Sequence, residues 1–144
     1  MKVAGTKRFV LDASIALAWF FTEESTSYTE AVFDLILSKS EALVPAIWPF
    51  EVANAFLIGE RRKRLTFNEV TGFLQRLASL PIKIDQAQID RAFGQILSVA
   101  RHEQLTEYDA AYLELASREA LPLATLDQRL QRAAQQAGVP LVTV

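Results

Sequence analysis

Residues 8–21 read RFVLDASIALAWFF and place one aspartate, Asp12, between two apolar runs. The first run, residues 8–11, is short, which favours a buried strand. The second, residues 13–21, is apolar on nearly every side, as expected of a short helix packed into a core. The whole run is too short to span a bilayer, and Asp12 interrupts it near its start. We therefore expect a buried strand and helix in a soluble, cytoplasmic protein, not a signal peptide.

On the C-terminal side of this segment, short apolar stretches alternate with stretches that repeat apolar residues at helical spacing. Further strands are predicted at residues 42–45, 82–84, 121–125 and 141–142. Further helices are predicted at residues 26–37, 48–64, 67–80, 87–101, 106–120 and 127–137. Such alternation indicates a parallel sheet covered by helices on both faces. We predict one α/β domain over residues 1–144, built as three layers around a short central sheet.

Composition limits the chemistry that the chain can use. The 144 residues include no cysteine, which excludes disulfides and thiolate metal sites. The formal net charge of −2 is unusual for a protein that grips nucleic acid by neutralising phosphates alone. Nucleic-acid binding would have to use local basic patches or bound cations. The basic run at residues 61–64 is better explained by a solvated helix end, where cations complement the helix dipole, than by RNA contact.

Four acidic residues stand out by their predicted positions: Asp12, Glu51, Asp109 and Asp127. Each alone has a structural explanation, because acidic side chains are favoured at the N-terminus of a helix as caps or dipole partners. In a parallel α/β sheet, however, helix N-termini gather at the carboxyl edge of the strands, where such folds bind ligands. We therefore expect the four acids to lie along one edge of the sheet.

Converging carboxylates need either strongly raised pKa values or a divalent cation between them. Oxygen-only ligands favour Mg²⁺ or Mn²⁺ over zinc. The one histidine, His102, is predicted at a helix end on the surface, and no Walker loop, dinucleotide-binding glycine motif or cysteine nucleophile is present. Acids without histidine or cysteine suit water that a metal activates to attack a phosphodiester.

Four segments together resemble a known family. Residues 9–14 read FVLDAS, residues 51–54 read EVAN, residues 105–116 read LTEYDAAYLELA and residues 124–127 read ATLD. This pattern is similar to that of PIN-domain proteins, and in particular of the VapC-type toxins of bacterial and archaeal toxin–antitoxin modules. The resemblance covers essentially the whole chain, and the third segment is its most specific part.

The resemblance implies a PIN-like fold and a Mg²⁺- or Mn²⁺-dependent endoribonuclease. It also implies a homodimer that a cognate VapB-type antitoxin holds inactive, with dimer and partner contacts in residues 26–101. By position, Asp12, Glu51 and Asp109 match the acidic core of the family, and Asp127 matches its fourth and less uniform acid. Ser14, Asn54 and Thr125 match polar positions that line the same pocket.

Three other functions compete with a ribonuclease. A phosphatase of the haloacid-dehalogenase type also uses a strand-end aspartate and Mg²⁺, but its pattern requires a second aspartate at the position that Ser14 occupies. A receiver-like signalling domain would need paired acids after the first strand and a lysine near a late strand, which residues 125–127 do not offer. A binding module without activity remains an alternative that the intact set of acids disfavours.

Overall fold

Four short parallel strands form the central sheet in the computed structural model, which describes residues 6–86 and 88–144. They are β1 (Arg8–Leu11), β2 (Glu41–Pro45), β3 (Ile82–Asp85) and β4 (Leu123–Ala124), in the spatial order β3-β2-β1-β4. Every neighbouring pair runs parallel, with Val10 opposite Leu43 on one side and Leu123 on the other. The predicted parallel α/β architecture is confirmed.

Helices connect the strands throughout the described ranges. They are α1 (Ala13–Ala18), α2 (Ser27–Leu37), α3 (Trp48–Arg61), α4 (Phe67–Ala78), α5 (Ile89–Phe93), α6 (Gln95–Glu103), α7 (Glu107–Glu119) and α8 (Gln128–Gln136), with a 3-10 turn at Thr22–Glu24. Several begin at side-chain caps: Thr26 and Thr66 each form a reciprocal capping box with the third residue of the following helix. Among the described residues, no helix combines the length and the apolar character needed to cross a membrane.

Two element predictions differ from the structure. The single helix predicted over residues 87–101 is wrong, because α5 and α6 meet at Gly94; residue 87 itself lies outside the described residues. A Cβ at Gly94 would lie 2.7 Å from the carbonyl oxygen of Asp90, so this break needs glycine. The strand predicted at residues 141–142 is reduced to an isolated parallel bridge between Leu141 and Leu123.

The sheet is covered on both faces. Phe9, Val10 and Leu11 in β1 are fully buried, although successive side chains of a strand point to opposite faces. One covering element is α7, which packs against β1 and β2. The three-layer arrangement follows, with the core on both sides of the central strands.

The strand order creates a crevice between β1 and β4. From β1 the chain adds β2 and then β3 on one side, whereas β4 joins the other side of β1. Helices that leave the carboxyl ends of two such strands diverge, and this switch point is where open α/β sheets bind ligands. Asp12 directly follows β1 and Thr125 directly follows β4. The fold therefore puts both residues at the mouth of this crevice.

Candidate active site

Asp12 lies at the centre of the crevice. Its side chain makes no hydrogen bond to the backbone of α1, so the N-cap interpretation fails for this residue. Instead its Oδ2 accepts hydrogen bonds from the Ser14 hydroxyl at 2.6 Å and the Thr125 hydroxyl at 2.7 Å. The second bond joins the ends of β1 and β4, and only 6 % of Asp12 is exposed. The carboxylate is thus held in one orientation by the first turn of α1 and by the loop that follows β4.

Glu51 is held from a third direction. It lies in the first turn of α3, and its Oε1 accepts a hydrogen bond of 2.5 Å from the hydroxyl of Tyr112. Tyr112 is fully buried on α7, three residues after Asp109 and therefore on the same helix face. Burial and the nearby carboxylates raise the pKa of Tyr112, so its hydroxyl stays protonated and donates. Tyr112 thereby ties α3 to α7.

Asp109 and Asp127 both lie at helix starts, as predicted. The Thr106 hydroxyl accepts a hydrogen bond from the backbone N–H of Asp109 at 3.1 Å, so Thr106 caps α7. Asp127 is a true N-cap, because its Oδ1 accepts from the N–H of Leu130 at 3.0 Å. Its own N–H donates to the Thr125 hydroxyl at 3.0 Å, which links it to Asp12 through one side chain. Asp127 therefore has a structural role of its own.

The four acids lie near enough to act on one another electrostatically. Burial raises the pKa of Asp12 most strongly, and the charges of Asp109 and Asp127 raise it further. Burial also raises the pKa of Glu51, where the charges of Asp12 and Asp109 add to the effect. For Asp109, burial is again the largest cause and the charge of Asp127 the next. The structure thus brings the predicted acids together at one edge of the sheet.

The three predicted supporting residues differ in their contacts. Thr125 and Ser14 bind Asp12 directly, and the Ser14 hydroxyl also accepts from the N–H of Leu126 at 3.1 Å. Asn54 is exposed, and within the described part of the chain its side chain makes no hydrogen bond. The structure therefore supplies no contact that joins Asn54 to the acids.

Sequence reasoning missed two residues at this site. Tyr112 lies inside the quoted motif, and its spacing of three residues from Asp109 was the signal that it shares the helix face. Arg129, an exposed residue in the first turn of α8, acts on Asp109, because its positive charge opposes the rise in the pKa of that carboxyl. A basic residue two positions after Asp127 was visible in the sequence, but nothing there related it to the N-terminus of α7.

The basic and histidine residues considered from sequence lie elsewhere. His102 is 84 % exposed in its side chain and contacts Glu103, which agrees with its predicted surface position. Arg64 pairs with Glu23 and stacks on the ring of Phe21 at 4.9 Å, so one member of the basic run at residues 61–64 serves the fold.

The donor set fits a hard divalent cation, since it combines carboxylates with hydroxyls and contains no sulfur or imidazole. Across residues 6–86 and 88–144, no three acidic, histidine or cysteine side chains form a ready-made cage for an ion. The residues therefore suit a cation in chemistry and charge.

Acidification should stabilise the metal-free protein through these carboxyls. The pKa values of Asp12, Glu51 and Asp109 lie above their ordinary values of 3.8 and 4.5, so in that window the folded state binds more protons than the unfolded state. Their contribution to the free energy of unfolding should rise as pH falls through the raised values, and it is complete below the ordinary ones. Urea unfolding in chelator measures this, with Asp12→Asn/Asp109→Asn as the reference. Identical pH profiles for the two proteins would contradict it.

Removal of the Tyr112 hydroxyl should leave the Glu51 carboxylate less firmly oriented, because its hydrogen bond to Oε1 is lost. Tyr112→Phe is expected to lower the free energy of unfolding by about 1 kcal/mol, the usual cost of a lost buried hydrogen bond. The matched control is Tyr28→Phe, which removes a hydroxyl that donates to the Val142 carbonyl oxygen at 2.8 Å. Both variants should lose stability, but only Tyr112→Phe should also weaken the stabilisation by Mn²⁺ in a thermal melt. Equal Mn²⁺ responses would show that Tyr112 is structural only.

Comparison with known proteins places this geometry in a family. The PIN domain model matches residues 9–136. A search of curated proteins gave no match. Among solved structures, PAE2754 from Pyrobaculum aerophilum is 24 % identical with a TM-score of 0.71, and the match covers 99 % of this chain and 88 % of that one.

Two more distant structures share the fold. VapBC2 from Rickettsia felis, solved with a DNA fragment from its promoter, is 13 % identical with a TM-score of 0.63, covering 93 % of this chain and 96 % of that chain. FitAcB from Neisseria gonorrhoeae is 18 % identical with a TM-score of 0.54, covering 94 % and 96 %. Identities this low establish the fold alone. The family model spans most of the sequence and all four acids, so this chain belongs to the PIN domain family.

Proposed function

We propose that this protein is a divalent-metal-dependent endoribonuclease of the VapC type, the toxin of a type II toxin–antitoxin module that acts in the cytoplasm. PIN domains are generally nucleases and typically use divalent metals. The observation that carries the proposal is the gathering of Asp12, Glu51, Asp109 and Asp127 at the carboxyl edge of the sheet, with Asp12 oriented by two hydroxyls.

Asp12, Glu51 and Asp109 would hold Mg²⁺ or Mn²⁺, with Asp127 as the weaker fourth ligand because its Oδ1 already caps α8. When bound, the cation would lower the pKa of a water molecule and offset negative charge on the scissile phosphate. The hydroxyl of Ser14 donates a hydrogen bond to Asp12 and so helps to orient this carboxylate.

Other side chains near the acids orient the carboxylates or carry charge. The Thr125 hydroxyl orients Asp12 and the Tyr112 hydroxyl orients Glu51, so neither carboxylate needs to reorganise much when substrate arrives. Arg129, whose charge acts on Asp109, would attract a phosphate of the substrate. His102 is exposed on α6 and is a poor candidate for a general base at the acids.

A phosphatase-like hydrolase is the second candidate, and Ser14 argues against it. The hydroxyl of Ser14 donates to Asp12 and accepts from the N–H of Leu126, so it supports a carboxylate and does not replace a second catalytic acid.

A non-catalytic module is disfavoured for a different reason. Burial and, to a smaller extent, neighbouring charges raise the pKa values of these carboxyls, which destabilises the folded protein at neutral pH, a cost that a binding module has no need to keep.

Two protein partners belong to the proposal. A VapB-type antitoxin is inferred from the likeness to VapBC2 and FitAcB. A basic segment of that antitoxin would complement the four acids and block them.

A homodimer is supported by Ile89 and Phe93, which are exposed four residues apart on one face of α5, within the range predicted for partner contacts.

The direct test of this function is incubation of the purified protein with total RNA in Mg²⁺, in Mn²⁺ and in chelator. We expect cleavage in either metal and none in chelator. RNA that stays intact under all three conditions, in a protein whose unfolding curve shows a cooperative fold, would refute the proposal.

A further inference from the structure

A cleft of 280 Å³ lies between α6, α7 and the end of α8. Its lining includes Ser98 and Glu103 from α6, Ser117 from α7 and Gln136 from α8. None of the four acids of the candidate active site lines it. On α7, Ser117 comes eight residues after Asp109, which corresponds to about 12 Å along the helix axis. The cleft is therefore a second site, distinct from the acidic one.

Glu103 brings a buried carboxylate to this cleft. Its side chain is 6 % exposed, and its Oε2 lies 2.7 Å from Nδ1 of the exposed His102 ring. Its Oε1 is buried and accepts no hydrogen bond from any residue that the structure describes. A carboxylate can accept about four hydrogen bonds, and a buried oxygen without a donor lowers the free energy of unfolding. Glu103 therefore keeps acceptor capacity that the fold does not use.

The other side chains of the cleft suit a cation that carries an apolar chain. Among the described residues that line it, none is a lysine or an arginine, so the negative charge of Glu103 is not offset by a permanent positive charge. Ser98 and Ser117 add hydroxyls that make no hydrogen bond within the described part of the chain. Val99 and Leu113 add apolar surface. A primary ammonium on a short aliphatic chain matches this set, since it offers three N–H donors and a small apolar body.

Other small ligands fit the cleft less well. An anion would be repelled by Glu103. A metal ion would find one carboxylate and one imidazole, Glu103 and His102, in the described lining. Metal sites in proteins normally have more protein ligands than that. An ammonium needs only one charged acceptor and a few neutral oxygens, which the cleft has.

We propose that this cleft binds a small primary amine in its protonated form, with the ammonium donating to the Glu103 carboxylate and the alkyl chain packed against Val99 and Leu113. Because Oε1 is covered, the ammonium reaches Oε2 first, and the exposed ring of His102 turns aside to admit it. The volume suits a small molecule and is too small for a helix of a partner protein. This site does not depend on the proposed ribonuclease function.

An NMR titration of the isotope-labelled full chain tests the site. The probe is n-butylammonium chloride, compared with n-butanol, which has the same carbon chain without the charge, and with an equal concentration of sodium chloride. The amide signals of Ser98, Glu103 and Ser117 should move in a saturable way with the amine only. Glu103→Gln should weaken binding at least about 10-fold, since a hydrogen bond to a charged group is lost. His102→Ala removes the ring that competes for Oε2 and should bind the amine at least as tightly as the wild-type protein.

The matched control is Glu119→Gln, which removes an exposed carboxylate from the last turn of α7. It should bind the amine within about 2-fold of wild type, because an exposed charge outside the cleft contributes little. Ser117→Phe, at an exposed position, fills the cleft and should abolish saturation, which keeps the test decisive if Glu103→Gln does not fold. The inference is overturned if n-butanol moves the same signals, or if either cleft variant, folded by urea unfolding, binds the amine as tightly as wild type. It is also overturned if the signals that move are those of Asp12 and Asp109.

Discussion

RNA cleavage by the Asp12→Asn variant is expected to fall at least about 100-fold below that of the wild-type protein. Asparagine keeps the size of Asp12 but removes the charge at the centre of the site. Changes to groups that merely support a metal ligand typically cost 10- to 100-fold in metal affinity or activity, so loss of a ligand itself should cost more. The initial rate of cleavage of one defined RNA in Mg²⁺ gives the measurement.

A matched control separates this effect from a general loss of negative charge. Asp34 is an exposed aspartate on α2, and Asp34→Asn should cleave at the wild-type rate. Urea unfolding should show that the Asp12→Asn protein is folded, because Ser14 and Thr125 can still donate to the amide oxygen. An Asp12→Asn protein that cleaves within a few-fold of wild type would remove Asp12 from the chemistry.

The second large effect concerns stability. Divalent cations that bind only the folded protein should raise its free energy of unfolding, by about 2.7 kcal/mol at a concentration 100-fold above Kd. For a chain of this size that corresponds to roughly 5 to 10 °C in the thermal midpoint. The double variant Asp12→Asn/Asp109→Asn should lose nearly all of the gain. Thermal melts with Mn²⁺ and with chelator measure the difference.

The control for this result is Asp34→Asn/Asp90→Asn, which removes two exposed acids from α2 and α5. This protein should keep the full response to Mn²⁺. If the Asp12→Asn/Asp109→Asn protein responds as strongly as wild type, the cation binds at another place and the assignment of ligands is wrong.

The position of the acids was predictable because helix N-termini gather at one edge of a parallel sheet. Residues 8–14 were enough to predict the position of Asp12, because a strand, this aspartate and a helix follow each other without a break. The same sequence also offered a capping role for each acid. The structure separates these roles by hydrogen bonds, since Asp127 caps α8 whereas Asp12 caps nothing. Their role as metal ligands stays a prediction.

Contacts between distant segments were beyond sequence reasoning. The bond from Tyr112 to Glu51 spans 61 residues, and the bond from Thr125 to Asp12 spans 113. Helical spacing placed Asn54 on the face of Glu51, but it could not show that this side chain stays in solvent without a hydrogen bond. The break at Gly94 was missed because apolar periodicity continues across it, although the close approach that requires glycine is to the carbonyl oxygen of Asp90, only four residues earlier.

The central claim is that carboxylates and a divalent cation direct water at phosphorus, and the ends of the cleaved RNA test it most directly. One RNA is incubated with the purified protein in Mg²⁺ and in chelator, and the termini of the products are identified. Attack by water with departure of the 3′-oxygen leaves a 5′-phosphate and a free 3′-hydroxyl, without chemistry at the 2′-hydroxyl. We expect these ends, formed only in metal. Cleavage in chelator, or products with 2′,3′-cyclic phosphates, would contradict the account.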